Sequence, residues 1–237
     1  MSTITQPVPL TLPSPGEVYR FTVDQYDRMV RNGTIDEDDP VELLDGIVVR
    51  KMPKGPRHDA SSARCRREIE RALPAGWHLR VEGSVRIPDY NEPEPDLSVV
   101  RGESDDYTDH HPGPADIALV VEVADSSLSR DRGEKRDIYA RAGIPVYWIV
   151  NLVGRQLEVS SNPTGGAHPP ATILGETDSA DLVIAGQVVG QIARGEPPSL
   201  TTLNLAYAPG QRSLEEVLAT HFRLGKSGVL MCRWASR

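Results

Sequence analysis

The sequence predicts an α/β fold built on a mixed β-sheet flanked by helices, and three observations carry it. Ile117 to Val123 is apolar throughout before its single glutamate, as expected of a strand buried on both faces. Pro145 to Leu152 is a second such run. Between them lies a helical stretch that starts among Ser126, Ser127 and Ser129 and stops at Gly143. Strand, helix, strand implies a parallel crossover, which places both strands at the centre of one sheet.

The remaining elements follow in chain order. Residues 1–20 form a proline-rich arm with too little apolar surface to offset its ordering entropy. Thr22 with Gln25 is a capping-box pair, and Val23, Tyr26 and Val30 recur at helical spacing before the stop at Gly33. Val41 to Arg50 reads as a β-hairpin, because Asp45-Gly46 admits the positive φ angles of a tight turn. Glu42 lies on its first strand. From Arg57 to Leu73 the apolar residues Cys65, Ile69, Ala72 and Leu73 recur at helical spacing, and Pro74 to Gly76 ends the run. Strands are then predicted at Trp77 to Ile87, interrupted by Gly83, at Asp96 to Val100, and at Gln156 to Ser160. Beyond residue 161 the pattern weakens to one strand near Leu182 to Val189 and a short helix around Leu214 to His221. The chain therefore divides into an arm (1–20), a core (21–160) and a divergent C-terminal extension (161–237).

Composition excludes several classes. The chain has 237 residues, 26 Lys plus Arg against 34 Asp plus Glu, a net charge of −8 and a hydrophobic fraction of 38%. A mean hydropathy of −0.37 and strand-length apolar runs describe a globular chain without membrane-spanning segments, and the N-terminus has no apolar stretch of the kind that directs secretion. Cys65 and Cys232 alone exclude a disulfide framework, and the six histidines show no zinc-ligand spacing. A reducing, cytoplasmic location is expected. Global acidity argues against non-specific coating of nucleic acid. Residues 50 to 71, however, hold eight Lys or Arg against three Asp or Glu. At about 100° per residue, Arg57, Arg64 and Arg71 fall within about 40° of one another. That face is either ordinary solvated surface or a phosphate-facing edge.

Three features suggest chemistry. Asp96 opens a strand directly after Pro95. Glu122 ends an apolar strand, where an unpaired carboxylate would cost several kcal/mol and so needs a cation or a hydrogen-bond donor. Asp131, Lys135, Ile138 and Ala142 share one helical stripe, which turns Lys135 toward the sheet. Two carboxylates with a lysine make a hard-oxygen site for Mg²⁺ or Mn²⁺, with an ammonium placed to stabilise charge. The same residues also admit blander roles: a strand-start cap for Asp96 and a structural ion pair for Glu122 with Lys135.

Pro95-Asp96 followed by Glu122 in an α/β context resembles the PD-(D/E)XK nuclease superfamily. Val41-Glu42-Leu43-Leu44-Asp45-Gly46, Pro56-Arg57-His58, Pro95-Asp96-Leu97 and the block from Leu119 to Asn151 resemble more closely the Uma family of bacterial restriction-endonuclease-like proteins, over roughly residues 20 to 160. The resemblance implies a restriction-endonuclease-like core and a divalent-metal nuclease site at Asp96 and Glu122 acting on DNA. It makes Glu42 and His58 secondary candidates, with Arg57, Arg64 and Arg71 the candidate DNA contacts. The superfamily lysine would fall two residues after Glu122, where this chain has Ala124, so Lys135 is the expected substitute. A homodimer is the default assembly for an enzyme that cuts both strands. The competing expectation is a nucleic-acid-binding or protein-interaction module that keeps the fold and has lost hydrolysis, which Ala124 and the acidic net charge favour.

Overall fold

A computed structural model describes Gly16, residues 18–36 and 38–193, and the strand segments 222–224 and 230–232. The expected arm lies almost wholly outside these residues, and so does the helix expected at Leu214 to His221. Two compact units divide the chain, Met1–Arg194 and Gly195–Arg237. In the second, Phe222–Leu224 and Leu230–Cys232 pair antiparallel.

In the first unit, helix α1 (Val23–Arg31) begins with the capping box read from the sequence, as the Thr22 side chain accepts from Gln25 N–H and the Gln25 side chain accepts from Thr22 N–H. The hairpin of β1 (Val41–Leu44) and β2 (Ile47–Arg50) turns at Asp45 and Gly46, with φ of 44° and 79°. Glycine is required at position 46 twice over, since a Cβ there would also stand 2.6 Å from the Cβ of Arg20.

Six strands form the central sheet in the order β3 (Trp77–Val81), β4 (Leu97–Arg101), β5 (Ile117–Ala124), β6 (Val146–Asn151), β7 (Gln156–Ser161) and β8 (Thr172–Leu174). β5 and β6 are parallel and every other pair is antiparallel. The central pair is thus the one predicted, joined by the predicted crossover. Alternation along β5 gives the sheet two distinct faces. Val121 and Val123 join Trp148, Val150 and Ile69 in one core, beneath helix α2 (Pro56–Ala72). Val120 and Ala124 join Tyr147, Ile149 and Ile138 in the other, beneath the crossover helix.

Several elements differ from the sequence reading, among them β8, which it does not contain. β3 stops at Val81, because Glu82 takes a left-handed φ of 52°, and Val85 and Ile87 are buried as irregular chain. The single strand expected near Leu182 to Val189 is a hairpin, β9 (Ser179–Ile184) and β10 (Gln187–Ala193), turning at Ala185-Gly186. Its residues Leu182, Ile184 and Ile192 enter the same core as β5, so the compact core continues well past residue 160. The crossover helix is also not regular: α3 (Leu128–Arg130) and α4 (Arg136–Arg141) flank a π-helical turn, Asp131–Lys135. Tyr147 Oη donates to the Asp131 carbonyl at 2.9 Å, inserting a side chain beside the backbone ladder where the helix widens.

Candidate active site

The register that pairs Leu97 with Val121 brings Asp96 and Glu122, one step further along, side by side where β4 begins and β5 nears its end. Both are buried, and both line a cavity of about 60 Å³ together with Glu42, Lys54, His58, Asp131 and Lys135. All five residues singled out from the sequence therefore converge. Each arrives on a different element: Glu42 on β1, His58 in the first turn of α2, Asp96 before β4, Glu122 on β5 and Lys135 on the π turn.

Two ion networks organise them. Lys135 Nζ stands 2.9 Å from Glu122 Oε1 and 3.0 Å from Glu42 Oε2, and Tyr139 Oη donates to the same Glu122 oxygen at 3.1 Å. Glu42 Oε2 also accepts from Glu94 N–H at 3.1 Å. In the second network, Asp96 Oδ2 accepts from Val123 N–H at 2.7 Å and faces His58 Nε2 at 3.1 Å, while Lys54 Nζ lies 3.0 Å from Asp96 Oδ1. Lys54 bridges outward to Glu82 at 2.9 Å.

Electrostatics separate the two carboxylates. Burial pushes the Glu122 carboxyl well above its ordinary value, and Lys135 is the main opposing influence. Burial also acts against the Lys135 ammonium, but Glu122, Glu42 and Asp131 outweigh it and hold the lysine protonated. Asp96 has the opposite outcome. Its burial is overcome by hydrogen bonds from His58 and Val123 and by the charge of Lys54, which keep the carboxyl below its usual range. The Asp96 bond raises His58, although burial works against it.

Sequence reasoning missed Lys54 and the hydroxyl of Tyr139, and placed Asp131 on the inward stripe without a role in the site. Lys54 is legible only as one charge in the basic run, since the loop that folds it onto Asp96 carries no periodicity. Tyr139 is buried in the core, and its hydroxyl reaches Glu122. The arginine face does not join the site. Arg57 donates to the Leu152 carbonyl at 3.1 Å, Arg71 pairs with Glu68 at 3.0 Å, and Arg64 has no ionic partner among the described residues.

The donor set suits a small hard cation. Asp96 and Glu122 are adjacent carboxylates on one cavity wall, and Mg²⁺ is commonly held by one or two carboxylates with water or phosphate oxygens completing its shell. Among the described residues no group of three or more His, Cys, Asp or Glu is arranged to hold a metal.

A family model described as "Putative restriction endonuclease", Uma2, matches residues 23–191. The chain belongs to the Uma2 family. The match runs past residue 161, where the sequence reading had the resemblance end, and takes in the β9–β10 hairpin that completes the core. A solved chain from Anabaena variabilis, described as a "putative nuclease", is similar in fold at a TM-score of 0.51 and 18% identity, covering 69% of this chain and 89% of that one. No curated protein matches. No helix among the described residues is long and apolar enough to cross a membrane.

Proposed function

We propose that this Uma2 protein is a divalent-metal-dependent endonuclease that hydrolyses DNA phosphodiester bonds. The observation that carries the reading is the meeting of Asp96 and Glu122 in one cavity with a buried lysine on Glu122 and a histidine on Asp96. Mg²⁺ or Mn²⁺ would be held by Asp96 and Glu122, and when bound supplies Lewis-acid stabilisation of the phosphate and a more acidic water.

The chain's own groups have separable tasks. Lys135 opposes the protonation of Glu122 that burial favours, and so holds the carboxylate oxygens in place for a ligand role. Lys54, part exposed at the cavity, offers an ammonium to a phosphate oxygen that is not otherwise neutralised. His58, with one ring nitrogen on Asp96, is the candidate to accept or deliver a proton. Arg57, Arg64 and Arg71, exposed along α2, are the candidate phosphate partners outside the cavity. A homodimer is the proposed assembly.

A second reading, a binding module on the same fold without hydrolysis, draws on the closure of both networks. Lys135 serves Glu122 and Glu42, while Lys54 and His58 serve Asp96, so these charges are paired without a metal. Supercoiled plasmid incubated with the protein and Mn²⁺ separates the two. Nicking that requires the metal and disappears in Asp96→Asn supports the nuclease; intact plasmid with retained DNA binding supports the module.

A further inference from the structure

The sheet face opposite the candidate site carries a second, larger cavity of about 280 Å³. Its two walls differ in chemistry. One wall is the polar side of α2, where Arg57, Ser61, Arg64 and Glu68 follow one another at helical spacing. The other is apolar and comes from the sheet and from β10: Trp148, Val150, Leu152, Leu157 and Ile192. The lining carries three arginines against two glutamates, Glu68 and Glu176. Arg64 meets no carboxylate among the described residues, and Arg57 is committed only to the Leu152 carbonyl. A third arginine at the cavity, Arg155, is held by Glu176 through a pair of hydrogen bonds, each 2.7 Å long. The indole of Trp148 is buried, and its Nε1–H finds no acceptor among the described residues.

We infer that this cavity binds a nucleoside monophosphate, with the base against the apolar wall and the phosphate at Arg57 and Arg64. A slot with one apolar wall and one hydrogen-bonding wall suits a planar heteroaromatic ring, which presents a π face to the first and polar edges to the second. An alkyl carboxylate would satisfy the arginines but set an apolar tail against the Ser61 hydroxyl on the polar wall. Glu68 accepts from Arg71 through Oε1 at 3.0 Å and retains its second carboxylate oxygen for an exocyclic amino group, and Ser61 both donates and accepts. Guanidinium is the side chain best matched to a phosphate, through paired N–H donors. The volume lies at the lower limit for small-ligand pockets, about 300 Å³, and fits one nucleotide rather than a strand. The inference goes beyond the nuclease reading, since it requires neither a metal nor any of Glu42, Asp96 and Glu122.

Calorimetric titration of the full chain in EDTA with deoxyadenosine monophosphate tests it, with adenosine, inorganic phosphate and decanoate as separate arms. Saturable one-to-one binding of the nucleotide is expected, at least tenfold tighter than any of the other three. Arg64→Gln should weaken it at least tenfold, with an unchanged melting temperature because the side chain is exposed and unpaired. Asp96→Asn should bind as the wild type does, so loss of the nuclease reading leaves this result standing. Intrinsic fluorescence should change with the same midpoint, and Trp148→Phe should remove most of that signal. Absent nucleotide binding, tighter binding of decanoate, or unchanged affinity in Arg64→Gln would each overturn the inference.

Discussion

Glu122 and Glu92 are buried to nearly the same degree, at 4% and 5% exposure, yet the protein treats them differently. Glu122 has a dedicated ammonium at 2.9 Å and a phenol at 3.1 Å. Among the described residues the cations near Glu92 are Arg86 at 3.8 Å and His111 at 3.9 Å, and Arg86 is already committed to Asp27 and Asp24. Burial, followed by the charge of Asp27, pushes the Glu92 carboxyl up to about 7. Burial raises both carboxyls; at Glu122 a cation built beside the group opposes that rise directly, whereas at Glu92 the cation is shared elsewhere and the group becomes a stability cost near neutral pH.

The largest test of this contrast is Lys135→Met. It strands Glu122 and Glu42 without their shared cation, and breaking a buried pair from one side typically costs about 3–5 kcal/mol. Hydrolysis should be lost as well. Denaturant melts of Lys135→Met, Glu122→Gln and the double variant should show strong coupling, with the double variant less destabilised than the sum. Additive losses would mean that the lysine does not sustain the carboxylate.

Asp96→Asn should act on chemistry far more than on stability. It keeps the shape and removes the charge, so plasmid nicking should fall by about 10²–10³-fold or more, the scale seen when one charge-stabilising group is removed. Asp96→Ala should no longer take up Mn²⁺ in a calorimetric titration. Uptake equal to wild type would remove Asp96 from the metal site.

Glu92→Gln should move stability in the favourable direction. The folded-state value of Glu92 lies above the ordinary 4.5, so the native protein holds this proton more tightly than the unfolded chain does. Stability from this group is complete below about pH 4.5 and is lost as pH rises through about 7. The glutamine variant should therefore gain about 1–3 kcal/mol at pH 8 and almost nothing at pH 4. Melting curves at both values decide it, and an equal gain at both would point to packing in place of ionisation.

The smallest effect on stability belongs to exposed charge. Replacing Arg57, Arg64 and Arg71 with Gln should leave the melt nearly unchanged, because surface ion pairs such as Arg71 with Glu68 contribute about 0–1 kcal/mol. If these side chains meet phosphates, the salt dependence of DNA binding should flatten by about 0.9 in slope for each phosphate that is no longer neutralised. An unchanged slope would make the face ordinary solvated surface.

Much of this organisation is legible along the chain. The apolar runs of β5 and β6 announce buried central strands, the capping box fixes the start of α1, and Asp45-Gly46 fixes a turn. Each of these signals lies within a few consecutive residues. Lys135 is legible too, since a lysine on an inward stripe needs a buried anion, and Glu122 on an apolar strand needs a cation. The β9–β10 hairpin is only half legible, because its turn at Ala185-Gly186 lacks the Asn or Asp that usually marks one.

What the sequence determined by itself is thus a set of local facts: which strands are buried, where turns fall, and which charged residues cannot stay unpaired. Tertiary structure alone decided the partners. The antiparallel register of β4 on β5 sets Asp96 beside Glu122, the loop before α2 lays Lys54 on Asp96, and the hairpin brings Glu42 to the far side of Lys135. Glu42 and Lys135 are more than ninety positions apart, and no local spacing encodes a contact across that distance. The physical reason is that periodicity reports only whether a side chain faces water or protein, whereas the identity of a buried charge's partner depends on which distant elements the core has packed together.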